Sequence, residues 1–249
     1  MTICLLLIAH IIGDFFLQTD RMAEKKKHLI RYLFIHGAVY TIPFLVLFLI
    51  ENVLPIVIWG VIGIFITHVV LDFLKTRVFE KNEKSLWKPF LIFVTDQFMH
   101  IAVLIVFFFI FGMYLNIDIL NWSKSLGNVT SLQTAIFILG ILFLTKPSAI
   151  INRMVLNVFD FKKESTGLEQ NDIKILRAGY VIGVLERLVL YVLFIWNQFA
   201  VMGFVLAAKS IARYKQMDQE GFAERYLIGT LLSTLEAIIV AFVLMNIKS

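Results

Sequence analysis

The sequence predicts an all-α, polytopic membrane protein of seven or eight transmembrane segments, its first four helices forming a His/Asp bundle of repeated hairpins. Three observations predict it. Hydrophobic residues make up 59% of the 249 residues and charged ones only 16%, whereas soluble domains sit near half apolar and a quarter charged. Apolar runs of roughly 20 residues, the length that crosses a bilayer, recur along the chain. Between them the basic residues are confined to a few short segments, the pattern that orients membrane helices. The net charge of +5 therefore reads as contact with anionic lipid headgroups and not as nucleic-acid binding. Cys4 is the single cysteine, so neither a disulfide framework nor a thiolate metal cage is available. Without Gly/Ser linkers or low-complexity tails, one membrane domain over 1–249 is expected. Its first half, 1–115, carries the His/Asp helices, and its second, 131–249, is helical.

Each segment follows from the run that defines it. The first, Thr2–Gln18, has no basic stretch before it and no small-residue cleavage site after it, so it is expected to stay in the membrane. Leu29–Ile50, Val53–Leu74, Pro89–Leu115 and Leu132–Ile151 follow, then a region from Ile173 to about Tyr214, then Tyr226–Ile247. The connections Arg21–Arg31 and Lys75–Lys88 hold five Lys/Arg each, as does 152–177 through Arg153, Lys162, Lys163, Lys174 and Arg177. By contrast "ENVLP" has none and 114–131 only Lys124. This asymmetry puts the N-terminus outside the cytoplasmic membrane and the basic connections in the cytoplasm. The basic tail "KSIARYK" also belongs inside, so 173–214 is expected to be a hairpin turning near Trp196–Asn197–Gln198. That gives eight segments; a single long tilted helix there would give seven.

The chemistry-bearing residues lie in the first four segments. His10/Asp14, His68/Asp72 and Asp96/His100 are four residues apart, and such positions share a helix face. His36 adds an imidazole on the second segment, so each of the four contributes one; the remaining histidine, His28, is in a basic connection. At about 1.5 Å rise per residue, all seven side chains fall in one slab in the cytoplasmic half of the bilayer. Segments one–two and three–four repeat a hairpin, as duplicated membrane folds do. Polar groups that deep are costly and mark function by default. Imidazole nitrogen and carboxylate oxygen together suit a divalent metal, zinc foremost, with manganese or iron as alternatives. His10, Asp14, His36, His68, Asp72, Asp96 and His100 are the expected ligands. Seven groups exceed one tetrahedral shell. Either two ions bind, or some carboxylates orient ligating imidazoles, or one of Asp14, Asp96 and Asp20 acts as general base towards water. Interhelical hydrogen bonding without metal and a proton relay are the alternatives.

In the second half, Glu186 and Arg187 sit mid-segment in "VIGVLERLVLYVLF", and Lys209 and Arg213 share a face in "AAKSIAR". The hairpin lets one or both cations approach Glu186. These four residues are either a structural ion-pair group or an anion pocket for a phosphate or carboxylate headgroup.

The stretches "AHIIGDFFLQTD", "HG" at 36–37, "HVVLDFLK" and "DQFMH" closely resemble the bacterial membrane family called domain of unknown function 3307. "GVLERL", "GFVLAAKSIARY" and "YLIGTLLS" are similar to the extension of its longer members. The pattern is loosely similar to a broader set of membrane proteins described as metal-dependent hydrolases. That likeness implies hydrolysis of an ester or phosphodiester in a lipid-like substrate, with membrane lipids as surroundings and partners. A metal-ion or proton-coupled transporter, or a partner subunit with a structural metal, is the alternative. A closed outer side would favour the enzyme, and a continuous polar path the transporter.

Overall fold

A computed structural model describes residues 2–50, 54–79, 86–114, 131–159, 170–219 and 221–246. Lys124 and the basic residues Lys162 and Lys163 lie outside them. The described residues are helical, without strands. They divide into two compact units, Met1–Leu142 and Phe143–Ser249.

In the first unit, α1 (Thr2–Ile11) continues into a π-helical turn, Ile12–Phe16, and a short α2 (Asp20–Lys25) follows. Thr19 starts α2 by accepting from the Met22 amide at 3.2 Å, the usual way to satisfy a first-turn donor. Then come α3 (Ile30–Ile50), α4 (Leu54–Leu74) with a second π turn at Lys75–Phe79, and α5 (Lys88–Tyr114). α3 packs along α4, α4 along α5, and α1 against α3. Glycines permit two of these approaches. A Cβ at Gly13 would lie 2.7 Å from the Tyr40 carbonyl oxygen, and one at Gly37 would lie 2.4 Å from a Val69 methyl. The "HG" dipeptide thus brings His36 close to α4. Leu6, Ala9, Tyr40, Phe44, Phe48, Ile64, Leu104 and Phe108 form a continuous apolar core across α1, α3, α4 and α5.

The helix α6 (Leu132–Val158) spans the division between the units. In the second unit, α7 (Gln170–Ile195) and α8 (Phe199–Ala212) are separated at Trp196–Gln198, and α9 (Phe222–Asn246) packs along α7. The turn expected at these residues is therefore present. Asn197 has φ 57°, and the Gln198 amide reaches back to the Leu193 carbonyl at 2.8 Å. This is the left-handed C-terminal cap that ends many helices, and Asn tolerates it better than most side chains.

Five helices are long and apolar enough to cross a membrane: Ile30–Ile50, Ile58–Arg77, Lys88–Ile110, Leu132–Val158 and Phe222–Asn246. Ile3–Phe16 and Phe199–Ala212 are shorter apolar helices. Large side chains such as Phe98, Ile110, Phe204 and Leu231 point outward, where only lipid makes such a surface favourable. The chain is a helical membrane protein.

Candidate metal centre

The first unit gathers all seven expected His and Asp side chains into one buried layer. α1 and its π turn supply His10 and Asp14, α3 supplies His36, α4 supplies His68 and Asp72, and α5 supplies Asp96 and His100. At the centre the His36 and His68 Nε2 atoms face each other at 3.1 Å. Asp14 Oδ1 lies 3.3 Å and Asp72 Oδ2 3.4 Å from His36 Nε2, and Asp72 Oδ2 lies 3.7 Å from His68 Nε2. Metal–ligand bonds of about 2.0–2.1 Å set tetrahedral donors roughly 3.3–3.4 Å apart. The four donors therefore have the mutual spacing of a zinc-like shell. Asp14, His36 and His68 form one buried trio with donor atoms within 4.8 Å of one another; His68, Asp72 and His100 form a second.

Hydrogen bonds assign different work to the remaining members. Gln97 donates through Nε2 to Asp14 Oδ2 at 2.9 Å and Asp96 Oδ2 at 3.3 Å. Carboxylates only accept, so the Gln97 Oε1 that faces His10 Nε2 at 3.2 Å accepts from it. The neutral His10 ring then accepts the Tyr40 hydroxyl on Nδ1, at 2.9 Å. Both nitrogens of His10 are engaged, and it belongs to neither trio. It positions Gln97 and, through it, Asp14. Tyr40 also stacks flat on His68, with centroids 3.6 Å apart and 9° between planes. Asp20 is exposed in the first turn of α2, outside the buried layer.

Two lysines, assigned from the sequence only to the basic connections, enter the layer. Lys26 donates to Asp72 Oδ2 at 2.6 Å, and Lys75 to Asp96 Oδ2 at 2.7 Å. With the Gln18 amide oriented to satisfy both neighbours, its oxygen accepts from Lys26 at 2.8 Å and its nitrogen donates to the Asp14 carbonyl at 3.1 Å. Lys26, Lys75, Gln18, Gln97 and Tyr40 are thus members of the site that the motifs did not mark. For Gln97 the signal was its place beside Asp96 in "DQFMH"; for Lys26 no spacing rule pointed inward.

The second unit keeps its charges in two groups. Lys209 pairs with Glu186, donates to Thr230 at 2.9 Å and lies 5.1 Å from the centre of the Tyr226 ring. Arg187 instead donates to the Leu144 carbonyl at 2.9 Å and approaches Ser233. Glu236 accepts from Ser148 and from Asn152, the latter at 2.6 Å. Arg213 turns to Gln216 at 2.8 Å. Of the four residues expected together, Glu186 and Lys209 meet, while Arg187 and Arg213 have other partners.

A buried, four-helix His/Asp layer inside an apolar helical chain defines an integral membrane protein with a candidate metal centre. Residues 2–126, half of the chain, match the family described as "Protein of unknown function (DUF3307)", and the chain belongs to that family. The matched segment contains every residue of the layer. No curated protein and no solved structure matches the chain.

Proposed function

We propose that the layer binds a divalent transition metal, zinc foremost, and that the protein is a membrane-embedded hydrolase of a lipid-like ester or phosphodiester. One observation carries the reading: the Asp14, His36, His68 and Asp72 donors stand 3.1–3.7 Å apart along the measured edges, buried and aimed at one point. When bound there, the ion would supply Lewis-acid polarisation of a carbonyl or phosphoryl oxygen and a more acidic water. Asp14 and Asp96, tied by Gln97, are the candidate bases that would take a proton from that water. Lys26 and Lys75 are placed to meet an anionic headgroup.

The surroundings support an enzyme over a conduit. On one side of the layer lie only the apolar groups of the core, among them Leu6, Phe44, Phe48, Ile64, Leu104 and Phe108. A solute crossing the bundle would have to part them. The basic connections favour the cytoplasmic membrane with the N-terminus outside, which puts the layer within reach of inner-leaflet headgroups. The lysine–carboxylate pairs favour a second reading, a proton or ion pathway, because intramembrane ionisable pairs recur in such relays.

Elemental analysis of the purified protein should return a stoichiometric transition metal, and short-chain ester and phosphodiester lipid analogues should be cleaved in a metal-dependent way. His36→Ala should lose both properties. A protein without bound metal would overturn the proposal; metal-dependent uptake into proteoliposomes with no hydrolysis would select the pathway instead.

A further inference from the structure

We infer that the layer holds a second, weaker divalent-ion position, built by His100 with Asp72 and His68. It rests on the metal reading above and extends it from one ion to two. His100 is the first reason. Its Nδ1 donates to the Asp96 carbonyl at 2.9 Å, which leaves the neutral ring with a lone pair on Nε2. That Nε2 is buried without a partner, in a side chain only 2% exposed. A ring fixed through one nitrogen with the other bare is how proteins present imidazole to a metal.

The neighbours are the second reason. Donor atoms of His68, Asp72 and His100 lie within 4.8 Å of one another. His68 and Asp72 each have an atom for either side. His68 Nε2 faces His36, while its Nδ1 is buried and unpartnered. Asp72 turns Oδ2 towards His36 and has a second carboxylate oxygen. Shared ligands of this kind hold two ions about 3.5–4 Å apart in hydrolytic centres.

Charge sets the order of filling. Asp14, Asp72 and Asp96 meet Lys26 and Lys75, leaving one net negative charge for neutral imidazoles. The first divalent ion satisfies it; the second enters against an existing positive charge and should bind more than about tenfold more weakly. Zinc is the probe. Equilibrium dialysis of the full-length protein in detergent should show two classes of zinc per chain, one tight and one weak. His100→Gln should remove only the weak class.

A single class in the wild type, or two in H100Q, overturns the second position while leaving the first intact. No bound zinc overturns both readings. Manganese at two equivalents gives a test that needs no variant: a spin-coupled resonance spectrum supports the pair, and two isolated-ion signals overturn it.

Discussion

Lys26 and Asp72 illustrate how a carboxylate is kept in an apolar bundle. Both are buried and 2.6 Å apart, so Lys26→Met should strand the carboxylate at a cost of about 3–5 kcal/mol. Adding Asp72→Asn should recover much of that loss; unfolding of the single and double variants in one detergent measures both. Tyr40→Phe should remove the donor to His10 Nδ1 and cost about 1–3 kcal/mol. The metal-like residues were legible because His and Asp four apart share a helix face whatever the tertiary packing. Lys26 was not legible, because a lysine beside Lys25 and Lys27 reads as topology. Only the path of the α2 connection turns that one ammonium inward. Gln97 escaped for a different reason: a neutral amide carries no charge pattern, and its bridge joins helices 83 residues apart.

Helices were the readily legible elements, since each long apolar run had to satisfy its own backbone in lipid. The break at Trp196–Gln198 was legible from three polar or amphipathic residues between apolar arms. Asn197 now gives it a test: Asn197→Gly should be nearly neutral, whereas Asn197→Val should cost about 1–2 kcal/mol because φ is 57° there. Close helix approach is the other element-scale constraint. Gly13→Ala sets a methyl against backbone, and should destabilise the α1–α3 pair by about 1–3 kcal/mol. Gly37→Ala meets side-chain atoms of Val69 and Phe65, which can shift, so it should cost less. Thermal unfolding ranks the two. The π turns and the short α2 left no periodic signal, since five or six residues are too few to establish a repeat.

At the scale of the molecule, the family match covers 2–126 and so takes in the whole polar layer but none of Glu186, Arg187 or Lys209. A metal that binds only the folded layer stabilises it by mass action. Zinc at a hundredfold excess over its dissociation constant should add about 2.7 kcal/mol, and a chelator should remove it. Asp14→Asn/His36→Gln should abolish the zinc-dependent part of that stability. Orientation can be read with single cysteines in a Cys4→Ser background. Labels at residue 27 should react from the cytoplasmic side and labels at residue 52 from the opposite side. The layered arrangement was legible as a common depth on four successive helices. The division at Leu142/Phe143 was not, because it falls inside α6, where hydropathy is uninterrupted.

The π turn at Ile12–Phe16 carries a consequence for sequence change within the family. A π turn is an α-helix holding one extra residue, here closed by the Leu17 amide on the Ile12 carbonyl at 2.9 Å. Losing a single codon from this stretch would restore an unbroken helix and rotate everything beyond it by roughly 100°. Gln18 would swing off the Asp14 carbonyl, and the segment delivering Lys26 would be re-aimed. Point substitutions along these five residues should therefore be far better tolerated than one-residue deletions, a contrast that a deletion scan scored by zinc retention would expose.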